Sequence, residues 1–456
     1  MRARTTILLA VVAAAIFAFI HFVERGAPGT RELEARKRFV MTFDKEEVDR
    51  IVIRNSDERV VLVRRGERWQ MREPVEDRAD QQLVSALLDE AGKMPRLSAI
   101  EVEEKGDDAE RARHKEFGVA KPGVRLKFDG KGVPPELLFG KETPVDGRVY
   151  VRFEGEPTVY VTTGELRRLV GAKPDAFRDG RLCDLHPSVV ERLEIRTRDG
   201  EMAVERNAGR WAIVKPVRAR ANGSAVESVI AGISGLRIET MLRDDELGER
   251  RGSFALWASG DDKPQLVEVG RRDAGDAEGT MRAKVSGRPG AFTVGREIRD
   301  FLKLQPNDLR DRALARVEPD IVDRIAVERE GEPRRLLVRK GEGWEIAGEP
   351  ARPVEAAAVA RLFEELRLAT VSTFVADVGT EPEKYGLNPG RVRVVFASYS
   401  SENTPESARG ERPFMAVALG RSENGEVFAR VEEEPFIVAV PAGAAERIEE
   451  ALAALR

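Results

Sequence analysis

The chain repeats itself three times, and nothing else in it limits the possible folds as much. Phe43–Ile53 (FDKEEVDRIVI), Leu185–Ile195 (LHPSVVERLEI) and Val317–Val327 (VEPDIVDRIAV) align without gaps. Each stretch passes from an apolar residue through loop formers to Val-acidic-Arg and then into an alternating strand. Val48, Val190 and Val322 lie 142 and 132 residues apart, and Arg50, Arg192 and Arg324 follow them. Solenoid units recur every ~20–50 residues, so this spacing marks duplication of a whole domain. At roughly 100–200 residues per domain, a chain of 456 residues holds three.

The match continues beyond the opening strand. Second strands are expected at Val60–Arg64, Glu201–Arg206 and Arg335–Arg339, each followed by one tryptophan: Trp69, Trp211 and Trp344. Each Trp shares a strand face with Met71, Ile213 or Ile346 two residues later, and a proline closes the segment at Pro74, Pro216 and Pro350. Helices should begin near Asp80, Asn222 and Glu355, the first two being good N-cap types. Their apolar residues fall at helical spacing, as in Leu83, Val84, Leu87 and Leu88. The back halves read as strands, with Gly140, Gly270 and Gly420 ending one strand in each copy, then a shorter helix. Sequential strands joined by turns favour antiparallel sheets with helices on one face. The expected architecture is α+β: three tandem repeats, each a mostly antiparallel sheet with one longer and one shorter helix.

Thr5–Val23 carries no charge. Nineteen residues at 1.5 Å each span about 28 Å, enough for a bilayer core. Arg2 and Arg4 precede it, which keeps the short N-terminus in the cytoplasm and sends the remainder across. The alternative is a cleaved signal peptide, but the apolar run continues past the small residues Ala13–Ala15 and no small-x-small site follows. The expected organisation is therefore a signal-anchor (1–24) inserted in the lipid bilayer through residues 5–23, a linker (25–42) and modules at 43–184, 185–316 and 317–456.

The balance of 76 Lys+Arg against 80 Asp+Glu gives a formal net charge of −4, which argues against a nucleic-acid partner. One cysteine, Cys183, excludes a disulfide framework, and three scattered histidines exclude a His-rich metal site. G-x-S-x-G, S-x-x-K, H-E-x-x-H, Walker A and G-x-G-x-x-G motifs are absent from the sequence. The expectation is a non-enzymatic protein without cofactor or metal. Acidic clusters such as Glu432–Glu434 read as solvated faces, and Arg178-Asp179 and Arg310-Asp311 as ion pairs that stabilise turns. The three repeated tryptophans read as core residues; exposed, they would instead stack on sugars.

The V-[DE]-R opener, the single Trp before a Pro, the loop Lys384–Pro389 (KYGLNP), the Gly-ended strand and the R-D segment resemble the bacterial "domain of unknown function 4340" family. Copy 1 keeps the loop as Phe117-Gly118-Val119 before Pro122. Copy 2 is expected to remodel it as Phe254-Ala255-Leu256-Trp257, which makes Trp257 a possible interface residue. The resemblance implies a protein of the bacterial cytoplasmic membrane, with most of its chain on the extracytoplasmic side, similar to auxiliary proteins found beside gliding-motility-type ABC transporter components. The expected role is a scaffold or accessory subunit of an inner-membrane protein complex. A binding module for cell-wall glycan or polysaccharide is the alternative, and a hydrolase with a dispersed carboxylate pair the third reading.

Overall fold

The computed structural model describes residues 38–455, apart from 103–106, 145–146, 243, 272–279, 349, 351, 378–380 and 399–411. The expected membrane segment, Thr5–Val23, lies outside the described residues. Among those described, no helix is long and apolar enough to cross a membrane.

Three nine-stranded sheets share one strand order. In the first repeat the strands are β1 (Val48–Asn55), β2 (Glu58–Arg65), β3 (Arg68–Glu73), β4 (Asp77–Arg78), β5 (Ser98–Ile100), β6 (Val124–Gly130), β7 (Leu137–Glu142), β8 (Arg148–Phe153) and β9 (Val159–Thr163). They lie in the order β4-β3-β2-β1-β6-β7-β8-β9-β5, and the second and third repeats follow the same plan. Neighbouring strands pair antiparallel: Ile51 faces Leu62 on one side and Phe128 on the other, and Ile53 faces Val60 and Leu126. Fully burying each such side chain stabilises the fold by about 1.5–3 kcal/mol.

The Val-acidic-Arg signature has a backbone meaning. In the first two repeats the pairing register shifts between Val48 and Arg50, and between Val190 and Arg192. The residue between them is the extra one of a β-bulge. Val48, Val190 and Val322 are all fully buried, while Asp49 and Glu191 point to solvent.

Helix α1 (Gln81–Gly92) covers the first sheet with Val84, Leu87, Leu88 and Ala91. Asp80 caps it by accepting from the Leu83 N–H, and Asn222 caps Gly223–Gly235 through the Ala225 N–H. Glu355 precedes Ala356–Leu368 without a side-chain cap. One helix was not expected: α2 (Asp107–Phe117) rises from the charged run before Phe117. Its His114 is buried and meets the Pro157 carbonyl oxygen at 3.0 Å.

The loop assignment in the second repeat needs correction. Phe254-Ala255-Leu256-Trp257 is no loop; it lies inside the strand Glu249–Ala258 and pairs with Arg192 to Ile195 just as β6 pairs with β1. The loop corresponding to Phe117-Gly118 and Tyr385-Gly386 is Leu247-Gly248. Gly118, Gly248 and Gly386 all have φ between 65° and 76°, a region open chiefly to glycine. Each loop passes directly over the Gly-ended strand. A Cβ on Gly140, Gly270 or Gly420 would sit 2.3, 2.5 or 2.2 Å from the carbonyl oxygen of Phe117, Leu247 or Tyr385. Gly420→Ala should therefore cost about 1–3 kcal/mol through overpacking against rigid backbone, read as a lowered urea midpoint. An unchanged midpoint would show that the loop can lift at no cost.

Contacts divide the chain into two compact units. Of the described residues, the first unit comprises those up to Arg181 with Ile238–Glu246 and Gly287–Phe292; the second comprises those of Leu182–Arg237, Leu247–Ser286 and Thr293–Arg456.

Candidate functional site at the repeat junctions

After the last short helix of the first repeat the chain returns to the edge of its own sheet. Asp179 N–H donates to the Arg78 carbonyl at 2.9 Å, and Asp80 N–H donates to that of Phe177 at 2.8 Å. The second repeat does the same: Asp311 N–H reaches the Arg220 carbonyl at 2.9 Å and Asn222 N–H that of Leu309 at 2.8 Å. These bonds place the R-D pairs inside the protein, where their charges need partners.

In the first unit the partner is Asp77, whose side chain is wholly buried. Arg288 holds both its oxygens, Nε to Oδ1 at 2.9 Å and Nη2 to Oδ2 at 2.9 Å, in the bidentate geometry that suits guanidinium and carboxylate. Arg178 Nε donates to Oδ2 at 2.8 Å. Arg288 also donates to the carbonyls of Arg181 and Asp179, each at 2.8 Å. Both guanidinium groups lie over the Phe292 ring, at 5.8 Å for Arg178 and 4.7 Å for Arg288. Burial alone would push the Asp77 carboxyl up, but the hydrogen bonds and charge of Arg288, with those from Arg178 and the Arg78 N–H, hold it below the usual carboxylate range. Asp179 is lowered likewise, burial being outweighed by hydrogen bonds from Arg181. Arg178 and Asp179 thus pair with other residues and not with each other as a turn-stabilising pair.

In the second unit Ala219 stands at the Asp77 position, and the neighbouring arginine makes the contact instead. Arg220 Nε donates to Glu434 Oε1 at 2.6 Å, and Nη2 donates to the Ala313 and Leu314 carbonyls. Glu434 follows Val431 by the spacing at which Arg288 follows Val285, so a glutamate stands where the preceding repeat has an arginine. Burial raises the Glu434 carboxyl, and nearby Asp311 and Glu433 add to this, against the attraction of Arg220. Arg310 has a buried side chain, donates to Asp377 Oδ1 at 2.8 Å and lies 4.8 and 5.1 Å from the Phe374 and Phe436 ring centres. The Glu432–Glu434 run is thus no merely solvated face: Glu432 pairs with Arg393, Glu433 accepts from the Ala416 N–H, and Glu434 is part of this junction.

The other residues singled out in the sequence lie as follows. Arg50 is 3.6 Å from Asp129, Arg192 pairs with Glu205 and Glu194, and Arg324 lies opposite Val338 and Ala397 in its sheet. Trp69, Trp211 and Trp344 are 7, 6 and 7% exposed. Arg206 and Arg339 cover one face of Trp211 and Trp344 at 4.8 and 5.1 Å. Pro74 and Pro216 follow the third strands of their sheets through cis peptide bonds; Pro350 comes four residues after the strand Gly343–Ile346. Trp257 is half-buried, under the Arg192 guanidinium at 4.9 Å, on the strand face opposite Phe254 and Leu256. Cys183 is buried. Among the described residues no three His, Cys, Asp or Glu side chains gather to hold a metal ion.

Two clefts adjoin the repeated tryptophans of the second unit, about 860 Å³ beside Trp211 and about 680 Å³ beside Trp344. The first helical residue explains them. Gln81 in the first repeat hydrogen-bonds the backbone N–H and carbonyl of Trp69 and fills that space; Gly223 and Ala356 stand there in the other two. The charges around the larger cleft pair off, Glu434 with Arg220 and Asp311 with Arg316 at 2.8 Å.

Sequence reasoning missed Asp77, Arg288, Arg220 and Glu434. The only signal was the recurrence of R-D in two copies, which pointed to the junction but not to its partners.

No curated protein matches the chain. A protein-family model described as "Domain of unknown function (DUF4340)" matches residues 69–253 and again residues 211–390. The two matches begin at Trp69 and Trp211, the same repeat position, and each runs across a junction into the following repeat. Matched twice in tandem over more than half its length, the chain belongs to the DUF4340 family.

Proposed function

We propose that this protein is a membrane-anchored, extracytoplasmic scaffold or accessory subunit of a membrane complex of the ABC-transporter kind. The observation that carries the reading is an arginine–carboxylate contact in each unit, Arg178 and Arg288 on the wholly buried Asp77 in the first and Arg220 on the half-buried Glu434 in the second. With several backbone hydrogen bonds beside it, each contact fixes the local geometry of its unit. Fixed geometry is what a subunit needs in order to hold partners in register. The apolar, uncharged Thr5–Val23 with Arg2 and Arg4 before it supports anchorage. Glycan binding has less in its favour: sugar stacking needs an open ring face, and the three repeated tryptophans are nearly buried.

A reporter active only outside the cytoplasm, fused after Arg456, should be active, and the chain should stay with membranes through a carbonate wash. Crosslinking in cells should then join it to integral membrane subunits of a transporter. Release into the soluble fraction with a shortened N-terminus would overturn the anchor. Crosslinks confined to wall polymer would favour the glycan alternative.

A further inference from the structure

Every repeat carries both of the surfaces that meet at Asp77 and at Glu434. One is the sheet edge beside the tryptophan strand. The pairs Met71↔Asp77, Ile213↔Ala219 and Ile346↔Arg352 put Asp77, Ala219 and Arg352 at one register position. The other surface is a turn that runs into a proline. Glu154, Ser286 and Glu432 open this turn, their N–H groups donating to the carbonyls of Glu136, Leu266 and Ala416 at 2.8, 2.8 and 2.9 Å. Two residues later, Glu156, Arg288 and Glu434 are therefore equivalent, each directly before a proline. The edge of the first repeat meets the turn of the second as Asp77 with Arg288, and the next edge and turn meet as Arg220 with Glu434. The turn of the first repeat and the sheet edge of the third remain.

These two surfaces carry opposite charges, Glu156 and Arg352. Arg352 is exposed and Glu156 half-buried, and among the described residues neither side chain has an ion-pair or hydrogen-bond partner. A backbone acceptor accompanies Glu156. In the two existing contacts Arg288 donates to the Arg181 carbonyl and Arg220 to that of Ala313, each at 2.8 Å. The N–H groups of the following residues, Leu182 and Leu314, donate to the carbonyls of Leu236 and Ala369, and Val40 N–H donates to that of Met94 in the same way. Phe39 is thus the counterpart of Arg181 and Ala313. Among the described residues no donor reaches its carbonyl oxygen. The first repeat therefore presents the carboxylate and carbonyl pair that Arg220 binds on the third repeat, and the third repeat presents a guanidinium.

We propose that these surfaces join copies of this chain head to tail, Arg352 of one copy donating to Glu156 and to the Phe39 carbonyl of the next. The charges select this pairing. An Asp77 edge against a glutamate turn, or the Arg352 edge against the Arg288 turn, would set like charges together. The contact is heterologous, so association continues as a filament or closes as a ring. A scaffold can act as a single copy, and in that respect the proposal goes beyond the reading above.

The test is sedimentation velocity of the full chain in a neutral detergent at low salt, over a range of protein concentrations. Species larger than the monomer, growing with concentration, are expected. Glu156→Arg and Arg352→Glu should each weaken association at least about tenfold, with the melting temperature unchanged. Mixing the two variants, or combining both substitutions in one chain, sets opposite charges together again and should restore association. Arg361→Gln, an exposed charge elsewhere on the third repeat, should leave it as it is. If a charge-reversed variant fails to fold, Glu156→Cys and Arg352→Cys chains replace it, and a disulfide should form when they are mixed but not in either alone. A monomer at every concentration, association indifferent to both reversals, no recovery on mixing, or no disulfide between the mixed chains would overturn the proposal.

Discussion

Asp77→Ala should destabilise the first unit by about 3–5 kcal/mol, the cost of removing one partner from a buried charge cluster. The loss would exceed that of any one hydrogen bond because Asp77 balances two guanidinium groups at once. Without it, Arg288 would stand over Phe292 with its positive charge uncompensated, far from water, and Arg178 would keep only the exposed Asp175 as a carboxylate partner, 3.2 Å from its Nη1. Asp77→Asn keeps an acceptor but not the charge and should fall between Ala and wild type. The pH dependence follows from the lowered Asp77 pKa. A carboxyl whose folded pKa is depressed adds stability above its unfolded value of about 3.9 and loses it as pH falls through the folded value. The gap between wild type and Asp77→Ala should therefore be full at pH 7 and shrink below about pH 4. Hydrogen exchange in denaturant, resolved by repeat, measures this locally and avoids treating the whole chain as two-state. Equal protection of the first repeat in wild type and Asp77→Ala would mean that the junction contributes no stability.

Features that depend on local spacing could be read in the sequence. The repeat, the tryptophan strands and the Asp80 and Asn222 caps follow from two-residue and 3.6-residue periods, which need no knowledge of distant contacts. The junctions could not be read. Asp77 and Arg288 are 211 residues apart, and their counterparts in the next junction, Ala219 and Glu434, share neither charge nor size. Pairwise complementarity can change while the backbone contact is kept, so a search for repeated residues passes over it. The Leu247-Gly248 loop was hidden because only its glycine is kept: the copy 1 and copy 3 prolines are replaced by arginines and a glutamate. The more obvious apolar cluster, Phe254 to Trp257, drew the alignment a few residues too far. Glu434 was lost among 80 acidic residues; its burial depends on the third sheet folding against Arg220.

Trp211→Ala and Trp257→Ala, two substitutions of the same residue type in one repeat, should separate core from surface. Trp211 is 6% exposed and shares a strand face with Ile213, itself fully buried. Truncating it removes burial and leaves a cavity beside an existing cleft, at a cost of about 3–5 kcal/mol. Trp257 lies on the other face of its sheet, packed against the Arg192 guanidinium. A half-exposed cation–π contact contributes about 0.5–1 kcal/mol, so Trp257→Ala should shift the melting temperature of the full chain by a few degrees at most. Trp257 is also the one repeat-specific tryptophan, since Asp129 and Ala397 hold the equivalent positions in the first and third sheets. If Trp257 anchors a partner, as tryptophan often does at interface hot spots, its removal should reduce crosslinked complex several-fold with folding intact. A stability loss equal to that of Trp211→Ala would place Trp257 among the structural residues and leave the junction surfaces as the part of the molecule to test for partners.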